Sequence, residues 1–363
     1  MASTQPDIAP HDLKQSPIER AETIPSKWYC NEEFFAFEQK ILFSRHWQLA
    51  CHENELAEPG DMHTLEVAGN PLLLVRDQED HINAFYNVCK HRGGPVAVKK
   101  GTTSVLHCQY HGWTYLLDGS LRGVPQFQKV DLFDKKDFGL EPVPLQRWQG
   151  LLFVALENEI NPINYYLEGI ANRIAPIDLA TFEFVQTQSY RINCNWKVYV
   201  DNFLEGYHIP IVHPELAKLL NYREYKTETS EWYSLQHSPF KDENNLYRSA
   251  DGKAYYYFIF PNIMLNILPG RLQTNIIRPI SATQTEVIFN YYYLHPEKPD
   301  IQEIIEEDIA YSDKIQDEDI EICELVQKGL QSKAYDKGRF SVEREQGVYH
   351  FQSLLKNFFA NAI

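Results

Sequence analysis

The stretch CKHRGGPVAVKKGTTSVLHCQYHGWTY, residues 89–115, carries two cysteines that are each followed closely by a histidine. The pairs are Cys89-x-His91 and Cys108-x₂-His111, with sixteen residues between His91 and Cys108. A zinc ribbon would offer four cysteines, and a zinc finger has a different strand-to-helix spacing. The alternation of thiolate and imidazole favours a [2Fe–2S] cluster in which two thiolates hold one iron and two imidazoles the other, with an incidental zinc site as the alternative.

The residues around these pairs suit a cluster. Gly93, Gly94 and Gly112 allow tight loops to approach the sulfurs and to offer backbone N–H groups to them. Tyr110 and Trp113 are predicted to shield the cluster from bulk water. The flanking sequence, from about residue 60 to 157, has short strand-like runs and an Asp-Gly hairpin signal in YLLDGSLRG, which predicts a β-rich domain.

A second motif, NWKVYVDNFLEGYHIPIVHP, occupies residues 195–214. Glu205 and His208 stand at i and i+3, which predicts that they share one face of a helix that ends or kinks near Pro210. His213 follows the break and is expected to converge with His208. Two histidines and one carboxylate bound on one face form the ligand set of mononuclear Fe(II) oxygenases.

The carboxylate must come from elsewhere, and QDEDIEICELVQKGL, residues 316–330, offers several candidates. A helical arrangement places Asp319 on an apolar face with Ile315, Ile322, Cys323 and Val326. The same arrangement places Asp317 on a solvated face with Asp313, Lys314, Glu321 and Glu324. Glu318 is intermediate. A carboxylate on an apolar face needs a partner such as a metal, so Asp319 is the predicted third ligand.

Charge and composition exclude several functions. The net charge of −16 argues against binding to nucleic acid or to anionic membranes. The N-terminal 30 residues are polar and Pro-rich, and the most apolar stretch, residues 255–268, is short and interrupted by Pro261 and Asn262. We therefore expect a cytoplasmic protein. No G-x-G-x-x-G follows a strand, so the electrons are expected to come from a separate reductase.

The motif CKHRGG…HCQYHGW resembles the Rieske domain of the Rieske non-haem iron oxygenases, large-subunit type. The resemblance extends from about residue 27 to 356. In that family N-W-K, then acid-x₂-His-x₄-His, supplies two iron ligands and a late Asp the third, which implies His208, His213 and Asp319 here. The Glu in EGYHIPIVH, with the tail segments EDIEICELVQKGLQS and REQGVYHFQSLL, is similar to the carnitine, choline and glycine-betaine monooxygenase branch.

The resemblance also implies an architecture. It predicts an α+β chain with an all-β Rieske domain at residues 45–157 and a catalytic domain at 158–363 with a central antiparallel sheet of the helix-grip, START-like type. Residues 1–44 are expected to pack on the catalytic domain. The family further implies a C₃ homotrimer, in which Glu205 bridges a Rieske histidine of one subunit, His111, and an iron histidine of the next, His208.

The function implied by the resemblance is a terminal oxygenase with a [2Fe–2S] cluster and a mononuclear Fe(II). It uses O₂ and electrons from an NAD(P)H-dependent flavin/[2Fe–2S] reductase to monooxygenate or demethylate a carnitine-, choline- or betaine-like substrate. A ring-hydroxylating dioxygenase or demethylase of an aromatic acid is the second enzyme hypothesis. A pure electron-transfer protein, which would not need His208, His213 and Asp319, is the non-enzyme hypothesis.

Overall fold

The computed structural model describes residues 5–219, 224–239 and 253–363. Within these ranges the chain is a mixture of helices and antiparallel sheets, which confirms the predicted α+β class. No helix in these ranges combines the length with the apolar character that crossing a membrane requires.

Contacts between residues divide the chain into two units. The larger unit contains Met1–Glu38, Tyr166–Ala175 and Thr181–Ile363, and the smaller one contains Gln39–Tyr165 and Pro176–Ala180. The N-terminal residues up to Glu38 fall in the same compact unit as Thr181–Ile363. The smaller unit begins before the predicted boundary at 45 and extends beyond 157. Because compact units need not coincide with functional domains, the three-part domain assignment stays a prediction.

The smaller unit contains three antiparallel sheets, with strand orders β1-β10-β9, β4-β3-β2-β5 and β6-β7-β8. Its strands are β1 (Gln48–His52), β2 (Asp61–Val67), β3 (Asn70–Arg76), β4 (Ile82–Tyr86), β5 (Gly101–Thr102), β6 (Leu106–His107), β7 (Thr114–Tyr115), β8 (Leu121–Gly123), β9 (Leu145–Trp148) and β10 (Leu151–Val154). The predicted Asp-Gly turn joins β7 to β8. Gly119 has a φ of 84°, and a Cβ there would lie 2.5 Å from the ring of Phe85, so this turn requires glycine.

Strand β3 lies between two apolar clusters. Leu73 and Val75 pack into an apolar cluster that also contains Cys89, Cys108, Trp113 and Tyr115. Leu72 and Leu74 pack into a second cluster on the opposite face of the strand. Since successive side chains of a strand point to opposite faces, burial of both faces explains why PLLLV is a continuous apolar run.

The larger unit is built on one antiparallel sheet, with the order β11-β17-β16-β15-β14-β13-β12. Its described strands are β11 (Glu183–Ile192), β12 (Lys226–Thr229), β13 (Tyr233–Pro239), β14 (Lys253–Ile259), β15 (Ile263–Leu268), β16 (Arg271–Ser281) and β17 (Gln284–Tyr293). The apolar stretch 255–268 forms the β14–β15 hairpin, which turns at Pro261.

The described helices are α1 (Lys27–Cys30), α2 (Glu32–Ile41), α3 (Ile163–Tyr166), α4 (Ile170–Ile174), α5 (Trp196–Phe203), α6 (Ile209–Val212), α7 (Leu216–Leu219), α8 (Pro299–Leu330) and α9 (Gln346–Ala362). Asn31 caps α2, because its Oδ1 accepts the Glu33 N–H at 2.6 Å. The acidic segment 300–330 becomes α8, which starts at a proline, a residue favoured in the first helical turn. Helix α8 packs beside α5 and β11, and α9 beside β12 and β13.

An ion pair between Glu38 and Lys197 lies in the core of the larger unit. Lys197 Nζ donates to Glu38 Oε1 at 2.6 Å, and both side chains are fully buried. Trp196 Nε1 donates to the other carboxylate oxygen at 2.7 Å. Burial raises the pKa of Glu38 and lowers the pKa of Lys197, although each partner opposes the shift of the other. Each charge therefore depends on its partner to remain ionised inside the protein.

Replacing one partner of this pair should destabilise the protein strongly. We expect Lys197→Met to lower the free energy of unfolding by about 3–5 kcal/mol, because Glu38 would be left buried without its counter-charge. Calorimetric unfolding checks this, with Lys314→Met as the control. Lys314 pairs with Glu215 in an exposed position, so its replacement should not change the melting temperature. Equal melting temperatures for the two variants would contradict the account.

Candidate functional site

The first cysteine–histidine pair lies in a loop closed by two backbone hydrogen bonds. The Cys89 N–H donates to the Gly94 carbonyl at 2.8 Å, and the Gly93 N–H donates to the Cys89 carbonyl at 2.9 Å. Gly93 has a φ of 77°. A Cβ on Gly94 would lie 3.1 Å from Cys108 Sγ, so glycine keeps the space beside the sulfur open.

The second pair repeats this geometry. The Cys108 N–H donates to the Trp113 carbonyl at 2.9 Å, and the Gly112 N–H donates to the Cys108 carbonyl at 3.0 Å. Gly112 has a φ of 72°. Two loops with the same hydrogen-bond pattern therefore present one cysteine and one histidine each, although the spacing is Cys-x-His in the first loop and Cys-x₂-His in the second.

The four predicted cluster ligands come together in the smaller unit. Cys89 and Cys108 are both buried and belong to the same apolar cluster. The rings of His91 and His111 have centroids 4.6 Å apart, at an interplanar angle of 73°. The structure thus brings two sulfurs and two imidazoles to one place.

The two aromatic side chains predicted to shield the cluster differ in position. Trp113 is buried and stacks on His91 with centroids 4.8 Å apart and an interplanar angle of 7°. The Tyr110 ring lies 3.8 Å from the His111 ring but is 58 % exposed. Trp113 therefore covers one side of the ligand set, whereas Tyr110 lies at the surface of the unit.

These residues fit a [2Fe–2S] cluster. The Nδ1 atom of His91 is buried and has no hydrogen-bond partner among the described residues, which suits a metal ligand. Burial, together with the charges of His111 and Arg92, lowers the pKa of His91, which favours the neutral imidazole that metal binding requires. Tyr115 places its hydroxyl 3.2 Å from Cys89 Sγ, where it can donate to a sulfur ligand.

The second motif folds differently from its predicted helix. Helix α5 ends at Phe203, before Glu205, and Pro210 lies in the first turn of a new helix, α6. The prediction that Glu205 and His208 share a helix ending near Pro210 is wrong. Proline starts a helix readily because its missing N–H has no partner in the first turn anyway. A buried Gly206 follows Glu205, and a Cβ there would lie 2.8 Å from the Tyr225 ring.

The predicted convergence with Asp319 is nevertheless present. His213 Nε2 lies 3.0 Å from Asp319 Oδ1, and His208 Nε2 lies 3.8 Å from the same oxygen. One potential ligand atom from each of the three residues lies within 4.8 Å of the others. The tight turn between α5 and α6 supplies the ring of His208, the residue directly after α6 supplies the ring of His213, and α8 supplies the carboxylate of Asp319. Two ring nitrogens and a carboxylate thus meet at one point, a donor set that fits a mononuclear iron.

A glutamate lies behind each histidine. Glu205 Oε1 is 2.7 Å from His208 Nδ1, and Glu318 Oε2 is 2.7 Å from His213 Nδ1. A carboxylate that accepts the Nδ1 proton fixes the tautomer in which the Nε2 lone pair is available to a metal. Both Nε2 atoms face Asp319, so the two glutamates orient the histidines toward the same point.

The two carboxylates next to His213 change the pKa of its imidazole. Burial acts to lower its pKa, but the hydrogen bonds and negative charges of Asp319 and Glu318 outweigh burial and raise the pKa. A cation is therefore favoured at this place, whether it is a proton or a metal ion.

Helix α8 differs in part from its predicted faces. Asp317 is exposed, as expected, and Asp319 is partly buried. Val326, expected on the apolar face, is 44 % exposed, and Gln327 is buried instead. Asp313, expected on the solvated face, accepts hydrogen bonds from Tyr190 and Gln188. The side of α8 that is buried is determined by hydrogen bonds to polar side chains on α5 and the sheet. A prediction from hydrophobicity alone therefore placed Val326 and Asp313 wrongly.

Two contributing residues were missed by the sequence reasoning. Glu318 was left as intermediate, and Asn202 was not considered, although its Nδ2 donates to Asp319 Oδ1 at 2.6 Å. Glu318 directly precedes the predicted ligand, and Asn202 lies one turn before Glu205 in the same motif. The acid-rich segment gave no signal for Glu318, because its neighbours Asp317 and Glu321 are solvated.

His208, His213 and Asp319 lie in the wall of a cavity of about 150 Å³. Among the described residues, six aromatic side chains line it: Tyr199, Phe203, Tyr225, Tyr256, Phe289 and Tyr311. Glu205 and Asn202 also reach this wall. The candidate iron site therefore opens directly onto a space that can hold a small molecule.

Comparison with protein families gives two matches. Residues 46–134 match the Rieske [2Fe-2S] domain, and residues 179–360 match the catalytic domain of the ring hydroxylating alpha subunit. The first match contains both cysteine–histidine pairs, and the second contains His208, His213 and Asp319. The hypothesis of a pure electron-transfer protein is therefore wrong.

Individual proteins are also similar over most of their length. The chain is 32 % identical to a chloroplastic choline monooxygenase of Arabidopsis thaliana, covering 93 % of this chain and 83 % of the relative. It is 29 % identical to the carnitine monooxygenase oxygenase subunit of Escherichia coli K12, covering 99 % of this chain and all of the relative.

Among solved structures, the quaternary ammonium Rieske monooxygenase CntA with bound L-carnitine aligns with a TM-score of 0.84 and 28 % identity, covering 93 % of this chain and 96 % of that one. Naphthalene 1,2-dioxygenase with bound indole aligns with a TM-score of 0.79 at 19 % identity, covering 96 % of this chain and 95 % of that one, which shows the shared fold alone. With both domains matched in order, the chain belongs to the Rieske non-haem iron oxygenases as an alpha subunit of the carnitine and choline monooxygenase branch, with a Rieske [2Fe–2S] cluster and a mononuclear iron as its cofactors.

Proposed function

We propose that the protein is the terminal oxygenase that monooxygenates a quaternary ammonium compound of the carnitine, choline or betaine type. Oxygenases of this family take their electrons from a separate reductase. The observation that carries the proposal is the convergence of His208, His213 and Asp319 in the wall of an aromatic-lined cavity. The names of the relatives, choline and carnitine monooxygenases, support the substrate class.

The aromatic lining suits a trimethylammonium group. Such a group cannot donate conventional hydrogen bonds, and the faces of tyrosine and phenylalanine rings attract its diffuse positive charge. The six rings in the cavity wall can surround it while they exclude water from the reacting carbon. The ring of Tyr225 also packs against Gly206, so the turn that carries Glu205 and His208 is connected to this lining.

We assign the ligands residue by residue. Cys89, His91, Cys108 and His111 hold the [2Fe–2S] cluster, and His208, His213 and Asp319 hold the iron. When bound, the cluster supplies single electrons and the iron supplies the activation of O₂.

The neighbouring residues orient these ligands. Glu205 and Glu318 accept the Nδ1 protons of His208 and His213 and so direct the Nε2 atoms toward the metal position. Asn202 donates to Asp319 Oδ1 and holds that carboxylate in place. The role of these groups is to fix the ligand geometry before the substrate binds.

The expected reaction is hydroxylation of a C–H bond next to the quaternary nitrogen. Hydroxylation at that carbon gives an unstable carbinolamine, which breaks its C–N bond. The products are an amine and an aldehyde, such as trimethylamine from a carnitine-type substrate or formaldehyde from demethylation. Hydroxylation of the alcohol carbon of a choline-type substrate gives a geminal diol, which loses water to form an aldehyde.

The second candidate is a dioxygenase or demethylase of an aromatic acid. The aromatic lining that suits a trimethylammonium group can also stack against a flat ring, which is the observation that favours this alternative.

The electron path is proposed to cross between subunits of a C₃ homotrimer. In this proposal Glu205 accepts hydrogen bonds from His111 of one subunit and His208 of the next. The exposed position of His111 and the contact between Glu205 and His208 support it. Three subunits arranged head to tail form a closed ring in which this contact occurs three times.

The cytoplasmic location is a proposal too, since the carnitine oxygenase relatives are bacterial but the choline monooxygenase relatives are chloroplastic.

The ligand assignment predicts different effects for two neighbouring acids. Asp319→Ala should remove the mononuclear iron and all oxygenase activity but leave the visible spectrum of the Rieske cluster unchanged. Asp317→Ala is the control, and because Asp317 is exposed it should retain both. Iron analysis and absorption spectra of the two variants check this. Loss of iron from the Asp317 variant alone would show that the wrong carboxylate was chosen.

The substrate class is tested with a panel of quaternary amines and aromatic acids. With a surrogate reductase, we expect O₂ consumption coupled to carnitine, γ-butyrobetaine, choline or glycine betaine, with an aldehyde as product. Product analysis by mass spectrometry checks the reaction. A cis-dihydrodiol formed from an arene, with no turnover of any quaternary amine, would favour the aromatic alternative.

The bridging role of Glu205 predicts a defect in electron transfer. Glu205→Gln should keep both metal sites loaded and slow the single-turnover oxidation of the reduced Rieske cluster by about 10–100-fold, as losses of groups that orient metal ligands do. Stopped-flow absorption checks the rate, and sedimentation checks the trimer. Normal turnover in this variant, or an active monomer, would contradict the bridge.

A further inference from the structure

Part of the cavity wall is polar and comes from strands β15 and β16. Asn266, Arg271, Gln273 and Asn275 line the cavity from these strands. Asn266 pairs with Gln273 in the antiparallel register, so alternate residues of the two strands share the face that lines the cavity. The residues of this polar wall are different from those of the candidate iron site, which come from α8, the α5–α6 turn and the end of α6.

The amides of the polar wall are buried. Asn266 is 7 % exposed and Asn275 is 2 % exposed. The Oδ1 atoms of both have no hydrogen-bond partner among the described residues. Asn275 Nδ2 has a weak contact only, 4.0 Å from Met264 Sδ. Buried amides are costly without hydrogen bonds, so a polar group of a ligand is the partner that these positions call for.

Arg271 is the one residue with a permanent positive charge among the described residues that line the cavity. Its guanidinium donates to Asp308 Oδ1 at 2.7 Å and to Gln273 Oε1. Tyr293 donates to the other oxygen of Asp308 at 2.5 Å. Arg271 is therefore fixed in place with its charge balanced by Asp308, so it can offer a carboxylate guanidinium N–H donors but not an unpaired charge.

The negative charges of the lining are already engaged. The two described carboxylates that line the cavity, Glu205 and Asp319, contact His208 and His213. Asp308 is bound by Arg271. A substrate that carries a positive charge alone would add an uncompensated charge to a buried site, whereas a zwitterion carries its own counter-charge.

We propose that Arg271, with the amides of Asn266 and Asn275, binds the carboxylate of the substrate. The substrate is then a zwitterionic trimethylammonium carboxylate, such as carnitine or γ-butyrobetaine, and not the amino alcohol choline. This inference rests on the proposed function and narrows its substrate class. The unpartnered atoms of both asparagines are oxygens, which accept and do not bind a carboxylate, so each amide must turn to present its NH₂ group to the substrate. The two orientations of an amide fill the same space.

The test compares γ-butyrobetaine with its methyl ester. The two have nearly the same length and the same trimethylammonium group, but the ester has no carboxylate and carries a net positive charge. We expect γ-butyrobetaine to bind about tenfold or more tightly, because hydrogen bonds to charged groups are stronger than those to neutral ones. Calorimetric titration of the iron-loaded protein, without O₂ or reductant, measures both dissociation constants without any dependence on turnover, and KM with a surrogate reductase gives a second readout.

Two variants test whether the polar wall causes the preference for γ-butyrobetaine over its methyl ester. Arg271→Gln combined with Asp308→Asn removes both charges of the pair together, so that no buried charge is left alone. Asn275→Leu removes one amide at similar volume and does not touch the ion pair. Each should weaken γ-butyrobetaine binding by about tenfold and bring it close to that of the ester. The control is Arg278→Gln, on the same strand, whose side chain pairs with Glu286 and does not line the cavity.

The outcomes separate this inference from the proposed function. Preference for γ-butyrobetaine that is lost in both cavity variants and kept in Arg278→Gln supports the carboxylate subsite. Turnover of quaternary amines with equal binding of acid and ester, or with choline preferred, overturns the subsite and leaves the proposed function intact. Absence of binding and turnover for every quaternary amine overturns both.

Discussion

A stripe of polar side chains along α8 holds the catalytic unit in register. From its N-terminal to its C-terminal half, Asp308 binds Arg271, Gln316 accepts from Tyr199, Asp319 contacts the histidines, and Gln327 accepts the Asn195 N–H that begins α5. These residues are eight, three and eight positions apart, so they repeat on one face of the helix. A shift of α8 by one turn would break all four contacts together, and with them the iron site.

This stripe also explains which parts of the site could be predicted from sequence. Cys89, His91, Cys108 and His111 could be predicted as cluster ligands because cysteine and histidine at such spacings have few other uses, and the structure brings these side chains together. Asp319 was identified from an apolar face, and it does lie inward. The same reasoning misplaced Val326 and Asp313, because the buried side of α8 is defined by hydrogen-bond partners far away in sequence. Glu318 had no local signal, since its partner His213 is 105 positions away.

The two metal centres orient their histidines by different means. His208 and His213 each have a glutamate at Nδ1, which leaves their Nε2 atoms available to the proposed iron. His91 stacks on Trp113 and keeps a buried Nδ1 atom for the metal. The first arrangement adds negative charge beside an iron that must bind O₂ and substrate. The second places no carboxylate at His91 Nδ1 among the described residues, which suits a cluster that accepts and passes electrons.

The central claim is that one chain holds a two-iron cluster and a separate single iron. The most direct measurement is the iron content of the purified protein, together with the g-values of the reduced cluster. The account predicts about three irons per chain and the low average g-value of a cluster with two histidine ligands. About two irons per chain after full reconstitution, or the signal of an all-cysteine ferredoxin, would contradict it.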